Sequence, residues 1–370
     1  MAKRAYAKQP VAKLIDIVRA PGDMPHSRIQ SIREFLAGEH DRRKAFITCH
    51  RRSQRPPFLR QHDFLIRRLC TMMPCARLGM RAFRALGRRA SSQGVIAVRT
   101  IVIQSYRDTQ VEPWVRRCMQ TVKDWARHRG YDYEFVGDAL FDFMPARMRN
   151  KNGPSLLPQT DMARLGLLHD RLNRNYERAI WLDADVLVFD QAAFAIHDGC
   201  GALFCHEVWT SLNAEGELTH WRGINNALMM FERGHPLLDF LRFATIQLHD
   251  HFDAAALSRT ALGTDLLTKL GRVIPLRVHT QVACLSPLLI RAAYYGDHPE
   301  WLRSHATERG QPFHAANLCR ALLSSVSPFN PAQGALNSGQ ILQLIEQVIE
   351  TRGSVLFGEA VQVDGLTGHL

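Results

Sequence analysis

Two carboxylates set one residue apart, Asp183 and Asp185, sit inside the segment Trp181-Leu182-Asp183-Ala184-Asp185-Val186, where an apolar strand runs into them and continues beyond. Residues two apart on a strand face the same way, so both side chains can serve one site just past a sheet edge. Two anions so close repel each other. The pair becomes favourable when a hard divalent cation, Mn²⁺ or Mg²⁺, joins the carboxylates to phosphate oxygens. Such an ion is the Lewis acid that the departure of a diphosphate requires. The plainer reading is a strand-end pair engaged in capping and ion pairing, and the D-x-D spacing by itself does not choose between the two.

The elements that would position this pair are legible around it. Val95 to Ile103 is a β-branched run suited to a strand buried on both faces, and it ends in Gln104-Ser105-Tyr106. Val115, Cys118, Met119, Val122 and Trp125 then recur at helical spacing, with Pro113 at the start and Gly130 at the end. Tyr131 to Val136 closes a β-α-β unit at Gly137-Asp138. Ligands of such folds bind beyond the carboxyl ends of the strands, which points to Ser105, Tyr106 and Asp138. A helix is expected from Thr160 to about Leu172, with Leu165, Leu168 and Leu172 inward and Asp161 and Arg164 sharing another face. Further on, Gly223 to Asn226 reads as a small-residue turn entering a strand. Pro236 to about Leu248 reads as a helix, and Gly263-Thr264-Asp265 opens another with Leu266, Leu267 and Leu270 inside. After a Ser/Pro/Asn-rich link comes an amphipathic helix carrying Ile341, Leu344, Ile345, Val348 and Ile349.

In this order the motifs resemble glycosyltransferases whose sugar-binding region contains a DXD motif, a group including bacterial polysaccharide-synthesis enzymes and fungal mannosyl- and galactosyltransferases. Trp114, Cys118, Trp125 and Gly130 to Phe135 look like that group's opening helix and second strand. Thr160-Asp161-Met162-Ala163-Arg164 is similar to its D-x-x-R helix start, and Asp183-Ala184-Asp185 follows at the usual distance. Asn225-Asn226-Ala227-Leu228-Met229 and Leu262 to Thr268 resemble its later segments. The likeness spans about residues 98 to 320. It departs where the usual Gly-Gly-x-Tyr is replaced by Glu177-Arg178-Ala179-Ile180-Trp181.

The resemblance implies an α/β fold of the GT-A type, a doubly wound nucleotide-sugar-binding domain with a basic amino-terminal extension and a carboxyl-terminal helix. It implies transfer of a hexose from a nucleotide diphosphate sugar to a hydroxyl of a glycan, with retention of configuration. Asp183 and Asp185 would hold Mn²⁺ or Mg²⁺, and His314 lies where related enzymes place a late metal-ligating histidine. An imidazole in the set would favour Mn²⁺. Ser105, Tyr106, Asp161, Arg164, Asp183 and Asn225 would face the donor, with Arg164 apt as a permanent forked donor of hydrogen bonds. Asp265 reads first as a helix N-cap; on the acceptor side it would orient or deprotonate the incoming hydroxyl. Asn226, with Asn225, would bond sugar hydroxyls, although Asn beside Gly also forms turns.

A rival reading is a haloacid-dehalogenase-type phosphatase with Asp183 as nucleophile. That loop asks for Thr or Val two residues past the second Asp, where Leu187 stands, and Lys269 has no acidic pair beside it.

Charge bears on the partners. Residues 1 to 90 hold 21 Lys+Arg against 6 Asp+Glu, whereas the remainder holds 26 against 29, so the overall +12 belongs to the start of the chain. Basic clusters there, such as Arg42-Arg43-Lys44 and Arg67-Arg68, alternate with apolar residues, a pattern suited to an anionic membrane surface or to a solvated tail. Nucleic acid is not expected as a partner, since the larger part is slightly acidic and carries no recognisable helix-turn-helix or zinc module. No run reaches the roughly 20 apolar residues of a spanning helix and no signal-peptide core is evident, so the expectation is a cytoplasmic protein, peripheral to the membrane at most. The eight cysteines form no CxxC pair and read as free thiols. The expected division is 1–93 as extension, 94–320 as the transferase domain and 321–370 as a link with its helix.

Overall fold

A computed structural model describes residues 98–149, 156–197, 199–251, 257–323 and 335–358. The basic stretch 1–93, on which the membrane expectation falls, lies outside the described residues.

The chain begins with β1 (Thr100–Ser105), α1 (Pro113–His128) and β2 (Asp132–Val136), and β1 and β2 pair in parallel. α1 has Pro113 in its first turn and buries Trp114, Val115, Cys118, Val122 and Trp125, the stripe its periodicity demands. α2 (Leu157–Arg174) starts three residues before the expected Thr160, because Pro158 fits the first turn of a helix, where a missing N–H costs nothing. β3 (Arg178–Leu182) lies parallel to β1 on the side away from β2. The chain then makes β4 (Val186–Val188), β5 (Ala202–Leu212), β6 (Leu218–Glu232), α3 (Pro236–His251) and α4 (Thr264–Gly271). After β7 (Val278–His279) and β8 (Val282–Cys284) come α5 (Pro287–Tyr295), α6 (Pro299–Arg309), β9 (Ala315–Asn317) and α7 (Ser338–Glu350).

The main sheet runs β2-β1-β3-β6-β5-β7 and is mixed: β6 is antiparallel to both β3 and β5, and β7 is parallel to β5. Helices cover both faces, so the α/β expectation holds. Alternate strand residues show why. Ile101, Ile103, Ala179, Trp181 and Phe231 pack with α2 and α3, while Val102, Ile180, Leu182 and Met230 pack with Val122 and Trp125 of α1.

Two local readings need correction. Asp183 to Asp185 is not part of a continuous strand. The N–H of Val186 donates to Asp183 O at 3.0 Å, closing a turn, and β4 leaves for a second sheet of order β4-β9-β8. The pair therefore stands at the corner between two sheets. Nor is Gly223–Asn226 a turn, since β6 runs unbroken through it as one arm of a long β5–β6 hairpin. The pairing jumps there from Phe204↔Met229 to Cys205↔Asn225, which leaves Asn226, Ala227 and Leu228 as a bulge; glycine and asparagine suit a bulge as well as a turn.

α7 buries Ile341, Leu344, Ile345 and Val348 in the same cluster as Val115 and Cys118 of α1 and Leu289 and Ala293 of α5. It is packed into the main body, with Asn337 and Gln340 forming a capping box at its start and Arg117 paired to Glu346 at 2.7 Å. Among the described residues the thiols of Cys118, Cys205 and Cys284 are buried, as expected of inert thiols. No helix among the described residues is long and apolar enough to cross a membrane.

Candidate functional site

The corner is held from three directions. Its backbone is fixed by Gln104, fully buried on β1, whose Nε2 donates to Asp183 O at 3.0 Å while its Oε1 accepts from Tyr133 Oη at 3.1 Å. The Asp183 N–H donates to Ala227 O in the β6 bulge at 2.9 Å. From the segment that follows β9, Leu318 N donates to Asp185 O at 3.1 Å and Arg320 N to Asp185 Oδ2 at 2.7 Å.

One oxygen of each carboxylate is thereby occupied. Asp183 Oδ1 accepts from Arg164 Nη1 at 3.0 Å and from Trp181 Nε1 at 2.7 Å. Asp183 Oδ2 and Asp185 Oδ1 have no hydrogen-bond partner among the described residues. Burial pushes the Asp185 carboxyl up to about 6, and the negative charge of Asp183 pushes it in the same direction. This is the electrostatic state of a carboxylate pair that its protein partners only partly neutralise.

Behind Asp183 stands a buried network from α2. Arg164, 5% exposed, also donates to Asn226 O at 3.1 Å, lies 3.5 Å from Asp161 and rests over the Trp181 ring at 4.9 Å. Asp161 Oδ1 accepts from Asn226 Nδ2 at 2.7 Å. Burial pushes the Asp161 carboxyl up to about 6, against the pull of Arg164 and Asn226. Gly263 closes on this pair: a Cβ there would lie 2.5 Å from Asn226 Nδ2 and 2.8 Å from Asp161 Oδ2. Asp161, Arg164, Asp183 and Asn226 are thus joined in one hydrogen-bonded and ion-paired unit.

Other expected residues are placed differently. Tyr106 donates its hydroxyl to Glu112 Oε2 at 2.6 Å, and burial followed by that bond raises its pKa. Although burial of Glu112 acts the other way, its bonds from Tyr106, Arg320 and Arg107 hold its carboxyl down at about 2. Tyr106 thus ties the exit of β1 to Arg320, the residue whose backbone caps Asp185. Ser105 ends β1 beside it. Both ends of the Asn225 amide are engaged, Nδ2 donating to Glu207 Oε1 at 2.9 Å and Oδ1 accepting from Ala227 N at 2.7 Å, so it shapes the bulge. Asp265 is no N-cap: its Oδ2 accepts from the hydroxyls of Ser258 and Thr260, each at 3.1 Å.

His314 does not join the aspartates. In the β4–β9 pairing Asp185 lies opposite Leu318 and Phe189 opposite His314, so four residues, about 13 Å of strand, separate the histidine from the corner. Its Nδ1 instead approaches Asp190 at 3.8 Å. No group of three or more His, Cys, Asp or Glu able to hold a metal occurs among the described residues.

Sequence reasoning missed Gln104, Trp181, Arg320 and Glu207. Glu207 carried a signal, a charge within the apolar strand Ala202-Leu203-Phe204-Cys205-His206-Glu207-Val208.

No family model matches the chain, and no curated protein does. Among solved structures it is similar to a glycosyltransferase involved in the glycosylation of the major capsid of PBCV-1, with 11% identity, 67% of this chain and 99% of that chain covered, and a TM-score of 0.37. It is similar to mouse xyloside xylosyltransferase 1 in its apo form, at 13% identity over 60% of this chain and 98% of that one, TM-score 0.31. A third is a Drosophila β-1,4-galactosyltransferase 7 mutant in complex with manganese, UDP-Gal and xylobiose, at 8% identity over 41% and 63%, TM-score 0.22. All three are glycosyltransferases, and the functional reading rests on this chain's own residues.

Proposed function

We propose that the chain is a glycosyltransferase that moves a sugar from a nucleotide diphosphate sugar to a hydroxyl of a glycan acceptor. The observation that carries this is the corner itself: two carboxylates at the junction of two sheets, each with one oxygen committed to the protein and one without a partner among the described residues. The donor set fits Mn²⁺ or Mg²⁺, which is commonly held by one or two carboxylates with substrate phosphate oxygens completing the shell. Asp183 and Asp185 would hold it, and its chemistry would be to neutralise charge on the departing diphosphate.

The protein's own contribution is rigidity. Arg164 and Trp181 fix Asp183 from one side, and the Arg320 N–H fixes Asp185 from the other. The Asp161–Asn226 pair, hydrogen-bonded behind them, is assigned to the sugar side of the donor. Asp265, whose charge bears on buried Glu207, belongs on the acceptor side. The transferred sugar as a hexose, and retention of configuration, follow the motif resemblance and belong to the same proposal, as does peripheral contact of the basic extension with an anionic cytoplasmic membrane face. Nothing in the site favours the phosphatase reading, in which Asp183 would be a free nucleophile rather than an anchored carboxylate.

Calorimetric titration with UDP and GDP, with and without Mn²⁺, tests the core of it. One nucleotide is expected to bind only with metal, and Asp185→Ala is expected to abolish that binding while circular dichroism stays unchanged. Metal-independent binding, or binding that survives the substitution, would overturn the assignment of these carboxylates.

A further inference from the structure

The β5–β6 hairpin carries a buried group that the site described so far does not use. Glu207 is 5% exposed, and although its Oε1 accepts from Asn225, its Oε2 is buried with no hydrogen-bond partner among the described residues. A buried carboxylate oxygen without a donor is costly, and a native protein that keeps one generally has a use for it. Burial raises the Glu207 pKa, as does the nearby charge of Asp265, while the Asn225 bond opposes them.

What surrounds that oxygen indicates the use. Glu207 pairs across the hairpin with Gly223, and Trp209 pairs with Trp221, so these four residues share one face of the two strands. Gly223 has no side chain to fill the space beside Glu207. A Cβ there would lie 3.0 Å from Glu207 Oε2 and 2.4 Å from the outer edge of the Trp221 ring, so indole, glycine and carboxylate meet at one point. Trp221 is nonetheless 44% exposed, a large flat apolar surface turned outward. The group is also close to the corner. Asn225 links Glu207 to the bulge that takes the Asp183 N–H, and the charges of Asp185, Glu207 and Asp183 all act on the Cys319 thiol.

We propose that Trp221, Gly223 and Glu207 form the acceptor subsite, in which a pyranose ring of the glycan lies on the exposed indole and one of its hydroxyls donates to Glu207 Oε2. The assignment rests on the glycosyl-transfer reading, and the chemistry is that of sugar recognition. A pyranose has an apolar C–H face that packs on an aromatic ring and a hydroxyl rim that needs acceptors. The indole edge resting over Gly223 closes off the carboxylate, and an entering sugar displaces that edge and supplies the missing donor.

The test uses the full chain and the methyl α- and β-glycosides of glucose, galactose, mannose and xylose, titrated by saturation-transfer NMR with Mn²⁺ and UDP or GDP present. At least one glycoside is expected to bind. Trp221→Ala and Glu207→Gln are each expected to weaken it about tenfold or more, the loss that follows removal of one well-packed ring or one charge-assisted bond. Gly223→Ala, whose methyl group fills the space in front of Glu207 Oε2, is expected to do the same, and Trp221→Phe to retain part of the binding. Metal-dependent nucleotide binding is expected to stay within about twofold of the parent in the two Trp221 variants, which leave the Glu207–Asn225 bond and the corner untouched. If no glycoside binds the parent, or if Trp221→Ala and Glu207→Gln bind as tightly as the parent, the subsite is overturned. If glycosides bind through Trp221 while neither nucleotide binds with metal, the subsite stands and the nucleotide-sugar reading falls.

Discussion

Asp161 shows most clearly how the site weighs on the fold. Its carboxyl, pushed up to about 6 by burial first and by Asp183 in addition, holds its proton more tightly in the folded chain than in the unfolded one, where the value is near 4. Ionising it therefore costs folding free energy. The cost is absent below pH 4, grows between pH 4 and 6, and levels off above at about 3 kcal/mol. Asp185 is shifted the same way and adds to the trend. In urea titrations the parent is expected to lose stability between pH 4.5 and 7. Asp161→Asn keeps an acceptor for the Asn226 amide but carries no charge, so its profile is expected to be shallower. Parallel profiles for parent and variant would show that Asp161 does not ionise at a cost.

At the scale of elements, the site is a meeting of a bulge, a corner and a helix start, and Gly263 is where they touch. An added Cβ at 2.5 Å from Asn226 Nδ2 and 2.8 Å from Asp161 Oδ2 cannot be accommodated without parting that hydrogen-bonded pair. Gly263→Ala is expected to destabilise the chain by about 1–3 kcal/mol, the usual cost of overpacking, and to weaken metal-dependent nucleotide binding. Equilibrium denaturation alongside calorimetry checks both; unchanged binding would separate the Asp161–Asn226 pair from the donor site. The same elements show what the sequence disclosed. β1, α1, α2, α4 and α7 were legible because each is defined by its own period, and a local pattern suffices for a buried stripe such as Trp114, Val115, Cys118, Val122 and Trp125. The corner was legible in composition but not in shape, because Val186 leaves the first sheet to pair with Asn317, and no local pattern carries a partner so distant. Gly223 to Asn226 misled for a related reason, since whether a Gly-Asn segment turns or bulges depends on the strand opposite. His314 misled because its distance from Asp185 is set by strand register.

At the scale of the whole molecule, the chain's two ends make different claims. The carboxyl-terminal helix α7 is anchored by buried Ile341, Leu344, Ile345 and Val348 and by the Arg117–Glu346 pair, against the α1 helix whose Trp114 and Val115 share its cluster. Truncation after residue 323 would strip four buried aliphatic side chains at about 1.5–3 kcal/mol each, a loss comparable to the stability of a whole domain. It is expected to abolish cooperative unfolding by heat; a truncated chain that still unfolds in one sharp transition would show that the helix is an appendage. The amino-terminal stretch is different in kind. Its 21 basic and 6 acidic residues lie ahead of a remainder that is slightly acidic, so attraction to an anionic surface would fall on the extension alone. Deleting residues 1–97 is therefore expected to remove sedimentation with vesicles containing phosphatidylserine and to leave nucleotide binding intact. Because such attraction is screened over about 8 Å at physiological ionic strength, binding of the parent is also expected to collapse in 0.5 M salt. Vesicle binding that survives both the deletion and the salt would assign membrane contact to the residues after 97, whose charge gives no reason for it.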